Sequence, residues 1–326
     1  MGNEIVKTRG TLSRRTALAV GAGSTLAVGL AAAPAVAAPA PAPAVGRRGA
    51  ALGATDPAVA AQLRVYEKEH GALLGVVGHN FRTGATVTHN ATRRFPICSV
   101  FKTLGVAAVL RDLDRNGEVL ARRIRYTYDD VLAAGGPDSS RITALEKNVA
   151  GGMTIRELCD ASITHSDNCA ANLLLRQIGG PTAITDFCRS VDDDVTRLDR
   201  WEPDLNTAEP GRVTDTTTPK AIAVTYARLV LGTELSRPDR RLLTDWLLAN
   251  TTSGERLRAG LPADWKLGDK TGGGEYGTNN DVGIAWTPEG APVVLAVFST
   301  KPDSPEGPRD NALIKKTGAL LAGVLR

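Results

Sequence analysis

The 326-residue chain is sparing in the features that most often announce a function. Aromatic residues make up 4% of it, and it holds only four cysteines, four histidines and two methionines. No CxxC or HExxH occurs, and His70, His79, His89 and His165 are scattered, so no usual zinc spacing is present and no metal or other cofactor is implied. No GxSxG occurs, which leaves a nucleophile-elbow hydrolase unsupported. No Lys/Arg stripe with interleaved aromatics exists, so nucleic acid is not an expected partner. Two letter patterns fail on context. Gly272-x-Gly274-x-x-Gly277 is followed by a strand pattern instead of a helix and reads as a hairpin turn, not a dinucleotide site. Asp112-x-Asp114-x-Asn116-Gly117 has Arg123 where a calcium loop needs its last glutamate, and reads as a helix end.

Long apolar runs are also missing. Near the N-terminus, Ser13-Arg14-Arg15-Thr16-Ala17-Leu18 precedes an uncharged Ala/Gly-rich run that reaches Ala35-Val36-Ala37, a small-x-small cleavage pattern. Residues 1–37 read as a twin-arginine export signal, which makes the product a secreted or periplasmic protein. The run is weakly hydrophobic and interrupted by Pro34, so stable membrane association is not expected after cleavage. Removing the signal takes away four cations and Glu4, which lowers the formal charge from +4 to +1. Residues 38–53 read as an Ala/Pro-rich spacer, and 54–326 as the folded domain, taken as a monomer. Cys98, Cys159, Cys169 and Cys188 are even in number, which permits two disulfides. A domain of this size needs no staples, and twin-arginine substrates are exported folded, so mostly free, buried thiols are expected.

Pro57 to His70 carries an amphipathic helical pattern, followed by two strand patterns, Leu73 to His79 and Ala85 to His89, around a turn at Asn80 to Gly84. From Ser99 to about Asn250 the pattern is mostly helical, with segments at Thr154 to Ile163, Asp167 to Ile178, Thr217 to Leu231 and Asp239 to Leu248. No pattern defines an element between Tyr126 and Gly152. Strand patterns return at Lys266 to Asp269, Asp281 to Trp286 and Val293 to Ser299, and a helix closes the chain from Asp310 to Leu325. The expected fold is therefore α/β (α+β): an antiparallel sheet built from both chain ends and flanked by helices, with an inserted all-helical lobe. The sheet lobe is expected over about 54–92 and 250–326, the helical lobe over about 93–249, and a cleft between them.

The chain is organised around Arg94-Phe-Pro-Ile-Cys-Ser-Val-Phe-Lys102. Pro96 breaks the chain, and from Ser99 apolar residues recur with helical spacing, so Ser99 stands at a helix N-terminus with Lys102 three residues on, on the same face. A serine so placed, beside an ammonium and free backbone N–H groups, suits nucleophilic attack. Chance supplies a Ser-x-x-Lys roughly once in a chain this long, but this is the only such pair, on a helix too apolar to carry it without a polar cleft. Ser166-Asp167-Asn168 precedes the next helix, where capping alone would account for it. Lys270-Thr271-Gly272 ends a strand, where a lysine and a hydroxyl can grip a carboxylate and Gly273 and Gly274 let a ligand approach. The same tripeptide at Lys316-Thr317-Gly318 lies in the closing helix and reads as a solvated helix face. Glu202 and Asn206 lie in a loop from about Arg197 to Thr216 with two prolines and no periodicity, where together they could hold a water.

In this order, Ser99-x-x-Lys102, Ser166-Asp-Asn168, Glu202-Pro-x-Leu-Asn206 and Lys270-Thr-Gly272 resemble the class A serine β-lactamases, over nearly all the chain after the spacer. The resemblance implies a β-lactamase/penicillin-binding transpeptidase-like fold, a small-molecule β-lactam substrate and hydrolysis through a serine acyl-enzyme, giving antibiotic resistance. It implies that Ser99 attacks the lactam carbonyl, that Ser99 and Gly273 N–H groups form the oxyanion hole, and that Ser166 passes a proton to the departing nitrogen. Lys102 or Glu202 would activate Ser99, and Glu202 with Asn206 would position the deacylating water. Lys270 and Thr271 would bind the substrate carboxylate, with Asn168 also on the substrate side. Arg256 looks like the arginine some members place beside that carboxylate, and Arg200 with Asp215 like the ion pair closing the loop.

Departures are visible too. The family's common disulfide would use Cys159, but its partner position reads Val106. Cys98 is similar to the cysteine of carbapenem-hydrolysing members, yet their partner cysteine falls where Gly274 stands, and no aromatic flanks the cleft entrance near Ser139 to Ile142. A penicillin-binding DD-peptidase, or a β-lactam-binding sensor that acylates without turnover, shares the first three motifs. Glu202 with Asn206 argues against both.

Overall fold

A computed structural model describes residues 55–114 and 116–326. The signal and spacer assigned to residues 1–37 and 38–53 lie outside the described residues. The first helix, α1 (Pro57–His70), starts where Asp56 accepts the Ala58 amide at 2.7 Å and Pro57 presets the first turn. It leads into the hairpin β1 (Leu73–Asn80) and β2 (Thr86–His89), close to the pattern in the sequence.

The remaining strands come from the other chain end: β3 (Lys266–Gly273), β4 (Asn279–Trp286) and β5 (Pro292–Thr300). All pairings are antiparallel and the order is β2-β1-β5-β4-β3. Leu73 pairs with Thr300 and Asn80 with Val293, so the first strand lies against the last. This is the sheet expected from the two chain ends.

Alternation along the strands divides the apolar residues into two cores. Leu74 and Val76 of β1 and Leu295 and Val297 of β5 pack with Leu63 of α1 and with Leu313 and Leu321 of the closing helix. Val77, Ala296 and Phe298 face the opposite way, toward the helical residues of the middle. Gly75 permits one close crossing, since a Cβ there would lie 2.4 Å from Phe95 and 2.8 Å from Pro219.

The helical middle comprises α2 (Phe101–Ala108), α3 (Ile155–Thr164), α4 (Asn168–Ile178), α5 (Thr182–Ser190), α6 (Pro219–Val230) and α7 (Arg237–Leu248). All eight residues of α2 are buried, so it runs through the centre of the lobe. Between Tyr126 and Gly152 stand two short helices, Tyr128–Ala133 and Glu146–Gly151. A short helix, α8 (Leu257–Gly260), precedes β3, and α9 (Asn311–Val324) closes the chain.

The tripeptide in α9 corrects one expectation. Only Lys316 is exposed, over the Tyr66 ring; Thr317 and Gly318 are buried, the latter against Leu257. The helix turns that part of its face to α8 instead of to water.

Candidate active site

Ser99 is fixed from both sides. Phe95–Pro96 pairs with Thr216–Thr217, the Ile97 amide donates to Asp215 O at 2.9 Å, and Asn280 Nδ2 donates to Pro96 O at 2.9 Å. Cys98 then takes a φ of +45°, and Cys98–Val100 form a tight 3-10 turn that runs into α2. A left-handed conformation in a non-glycine residue is strained and is retained where the surroundings over-determine it. Beneath the turn, the buried Tyr226 hydroxyl donates to Val100 O at 3.0 Å and meets the Thr103 hydroxyl at 2.8 Å.

Lys102, one turn along, has its ammonium wholly buried. It donates to Ser166 O at 2.7 Å and Asn168 Oδ1 at 2.6 Å, and pairs with Glu202 Oε1 at 3.1 Å. The Ser99 hydroxyl donates to that same Glu202 oxygen at 3.2 Å. From the sheet side, Lys270 Nζ donates to Ser166 Oγ at 2.9 Å and to Thr271 O at 2.8 Å. Four separate chain segments thus meet in one hydrogen-bonded chain. Burial, and next to it the charge of Lys102, hold the Lys270 ammonium well below the usual lysine range. An anion bound here would offset both effects.

The Ser166 turn combines both readings of its sequence. Asp167 caps α4 by accepting the Ala170 amide at 2.9 Å, and it also accepts the Ile142 and Thr143 amides at 2.9 Å each. Ser166, at φ +58°, and Asn168 face Lys102.

Glu202 is held by its backbone as well as its carboxylate. Asn172 Nδ2 donates to Glu202 O at 2.8 Å and its Oδ1 accepts the Glu202 amide at 3.1 Å, while Asn206 Nδ2 donates to Glu202 Oε2. At the loop base, Arg200 Nε donates to Asp215 Oδ2 at 2.6 Å, and Asp215 Oδ1 accepts the Asp199 and Arg200 amides. Asn172 escaped the sequence reading because, four residues after Asn168 on an apolar helix, it looks like one more exposed polar position.

The edge strand β3 forms the opposite wall. The Gly274 amide donates to Thr278 O, so alternation turns the Gly273 N–H to the open edge, toward the Ser99 turn. Thr271 Oγ1 lies 2.5 Å from Thr252 Oγ1, another residue the sequence reading missed. Arg256 Nη1 donates to Gly272 O at 2.9 Å and Asn280 O at 3.0 Å, and its Nε donates to Asn311 Oδ1 at 3.1 Å. The cleft has a volume of about 440 Å³; Ser139, Arg141 and Arg309 are among its lining residues, which include no Phe, Tyr or Trp. Among the described residues no cluster of His, Cys, Asp and Glu is arranged for a metal ion.

All four cysteines are free and buried. Burial, with the Glu202 carboxylate adding to it, pushes the Cys98 thiol up to about 12. A Cβ at Gly274 would stand 3.0 Å from its sulfur and 2.5 Å from Asn206 O, which shows how closely the turn, the loop and β3 approach.

A buried carboxyl pair joins β3 and β4, Asp269 on the first and Asp281 on the second. Asp269 accepts from Arg258 at 2.7 Å and Asn250 at 2.8 Å, whereas Asp281 Oδ1 faces no donor. A proton on Asp281 shared with Asp269 satisfies it, and burial together with the Asp269 charge holds Asp281 well above the usual carboxylate range. The folded protein thus keeps a proton that the unfolded chain releases above about pH 4. The stability tied to this group is full below that pH and declines as pH rises through the raised value. Asp281→Asn, which keeps the size and can donate to Asp269, is expected to flatten that decline. Melting temperatures of both proteins from pH 4 to 8 measure it, and an unchanged slope would show that the proton is not on Asp281.

Comparison with known proteins agrees with this geometry. Residues 58–325 match the Beta-lactamase enzyme family. A beta-lactamase of Streptomyces lavendulae is 61% identical over 83% of this chain and 87% of its own length. The solved beta-lactamase of Streptomyces albus G superposes with a TM-score of 0.80 at 58% identity, over 82% of this chain and 100% of that one. The class A beta-lactamase of the last common ancestor of Gram-negative bacteria superposes with a TM-score of 0.76 at 48% identity, over 82% and 100%. A family match over nearly all the described residues, joined to Ser99 donating to the glutamate that pairs with the buried Lys102, places this chain in the beta-lactamase enzyme family, among its class A serine enzymes.

Proposed function

We propose that the chain's activity, β-lactam hydrolysis, is carried by Ser99 as nucleophile and by Glu202 as the base of acyl release. The observation that supports this most is the polar chain that runs from Ser99 through Glu202, Lys102 and Ser166 to Lys270, each within hydrogen-bond reach of the next and drawn from four segments. Ser99 Oγ bonds to the lactam carbonyl carbon and the C–N bond breaks. The developing oxyanion is met by the Ser99 and Gly273 N–H groups, one such donor typically being worth about 3 kcal/mol. The Ser99 proton has its nearest acceptor in Glu202 Oε1, while the donors of Lys102 are engaged by Ser166 O, Asn168 Oδ1 and Glu202. Of the two candidate bases this favours Glu202, with Lys102 balancing its charge. Ser166, between the two ammoniums, supplies the proton to the departing nitrogen and is re-protonated by the Ser99 proton, relayed from Glu202 through Lys102, which leaves Glu202 ionised for the second half of the reaction. Water held by Glu202 and Asn206 then attacks the acyl carbon, its proton passing to Glu202 and on to Ser99 Oγ as the ester breaks. Lys270, Thr271 and Arg256 bind the substrate's carboxylate side, and Asn168 orients Lys102 from the helical side.

We also propose that residues 1–37 are a twin-arginine signal and 38–53 a spacer, so that the mature enzyme is exported. The catalytic domain, 54–326, then comprises a sheet lobe over about 54–92 and 250–326 and a helical lobe over about 93–249, and acts as a monomer without membrane attachment. Among the described residues no helix is long and apolar enough to cross a membrane.

Mass spectrometry of the protein with excess benzylpenicillin, sampled while ring opening is followed optically, tests the mechanism. Rapid turnover with a transient adduct on Ser99 is expected. A lasting adduct without turnover would point to a penicillin-binding DD-peptidase or sensor, and the absence of any adduct would remove the serine mechanism.

A further inference from the structure

The two amides given to the oxyanion come from different parts of the chain. Ser99 lies in the turn before α2, and Gly273 ends the edge strand β3. One oxygen can meet both only if the spacing of turn and strand is fixed, and neither segment fixes it alone. Among the described residues, a single side chain of the sheet hydrogen-bonds to the Ser99 turn. Asn280, fully buried on β4 and paired with Gly272 of β3, donates from Nδ2 to Pro96 O at 2.9 Å and to Ile97 O at 3.3 Å. Those carbonyls stand directly before Cys98, where a φ of +45° turns the chain toward Ser99.

Room for this amide is provided by a glycine. A Cβ on Gly272 would lie 3.2 Å from Asn280 Nδ2 and 3.1 Å from Ile97 O, so the last residue of Lys270-Thr271-Gly272 leaves the amide a passage to the turn. Stability does not account for an asparagine here. Its Oδ1 is buried and meets no donor, which costs stability where an apolar side chain of the same size would not. The turn's other bonds lead away from the sheet, from the Ile97 amide to Asp215 O and from the Tyr226 hydroxyl of α6 to Val100 O.

We propose that Asn280 is a positioning residue for β-lactam opening: by tying Pro96 O and Ile97 O to β4 past Gly272, it sets the spacing of the Ser99 and Gly273 amides and so the strength of the oxyanion hole. This rests on the reading that Ser99 is the nucleophile. The contribution falls on the transition state, since the tetrahedral oxyanion gains most from having both amides at hydrogen-bond distance, whereas the carbonyl of bound substrate gains less from either.

The test compares acylation by benzylpenicillin, followed by stopped flow, in the wild type, Asn280→Leu, Asn280→Ala and Val282→Ala. Leucine keeps the volume and removes both hydrogen bonds, while Val282→Ala opens space in the core two residues along the same strand. Both Asn280 variants are expected to lose about 100-fold in the acylation rate constant, the effect of a shift of about 1 Å, with the dissociation constant of the first complex changed less than about twofold. Phenylboronic acid, which forms a tetrahedral adduct on the Ser99 oxygen, should bind more weakly by about the same factor as acylation slows. Val282→Ala should acylate at the wild-type rate despite its lower melting temperature, and should Asn280→Leu not fold, Asn280→Ala carries the comparison. Wild-type acylation by a folded Asn280 variant would overturn the proposal. So would a loss that Val282→Ala shares, or one confined to the dissociation constant. A wild type that forms no Ser99 adduct with benzylpenicillin would overturn the reading of the site itself; a normal wild-type adduct with unaltered acylation in the Asn280 variants would overturn only the role given to Asn280.

Discussion

Ser99→Ala is expected to bring benzylpenicillin turnover down by roughly 10⁴- to 10⁶-fold, the range seen when a serine nucleophile is removed from a site that keeps its other parts. Among the described residues, the hydroxyl is the only group that both donates to Glu202 and stands at the start of a buried helix. No neighbour can replace it: Ser166 Oγ is held by Lys270 on the far side of Lys102, and the Cys98 thiol is buried and firmly protonated. The fold should barely notice the change, since the turn is secured by Asn280, Asp215 and Tyr226. An unchanged melting temperature, no adduct mass and background turnover are the expected set. Turnover near the wild-type rate would remove Ser99 as nucleophile.

Glu202→Ala is expected to leave acylation possible but to stall release, so that the acyl-enzyme accumulates. General-base assistance is typically worth 10²- to 10⁴-fold, and the release rate should fall by about that much. Acylation survives because Ser99 and Lys102, the other candidate base, stay in place on the buried helix. Release has no such substitute, since Asn206 alone can orient a water but cannot take its proton. The same substitution leaves a buried ammonium without its counter-charge, a change that typically costs about 3–5 kcal/mol. Glu202→Gln separates the effects by keeping the shape and the contact with Ser99. A stalled adduct is expected in both variants, with the larger loss of melting temperature in Glu202→Ala. Wild-type turnover by either would show that Glu202 does not activate the water.

These two predictions rest on residues whose meeting was legible in the chain, because each belongs to a short motif with its own local signal. Pro96 before an apolar helical run located Ser99, and the Ser166-Asp167-Asn168 turn announced itself as a helix start. The sheet was legible from its alternation, and α1 from Pro57 and its apolar stripe. Residues placed by tertiary contact were not. Asn280 comes to the Ser99 turn only because β4 pairs with β3 and Gly272 leaves it room. Thr252 matters only because it faces Thr271, and the short helices at Tyr128–Ala133 and Glu146–Gly151 are too brief for a period to show. Lys316-Thr317-Gly318 taught the opposite lesson, since a polar tripeptide gave no hint that α8 would cover two of its residues.

The pairing of β1 with β5 sets an order on assembly. Leu73 meets Thr300, 227 residues later in the chain. On a ribosome adding about 5–20 residues per second, β1 waits for its partner for about 10–45 s. Throughout that interval Leu74, Val76 and Val77 have no neighbour on that side, and Ser99 has no opposite wall. The growing chain is thus both sticky and inert until its last fifth emerges, and the enzyme becomes active in one late step of closure.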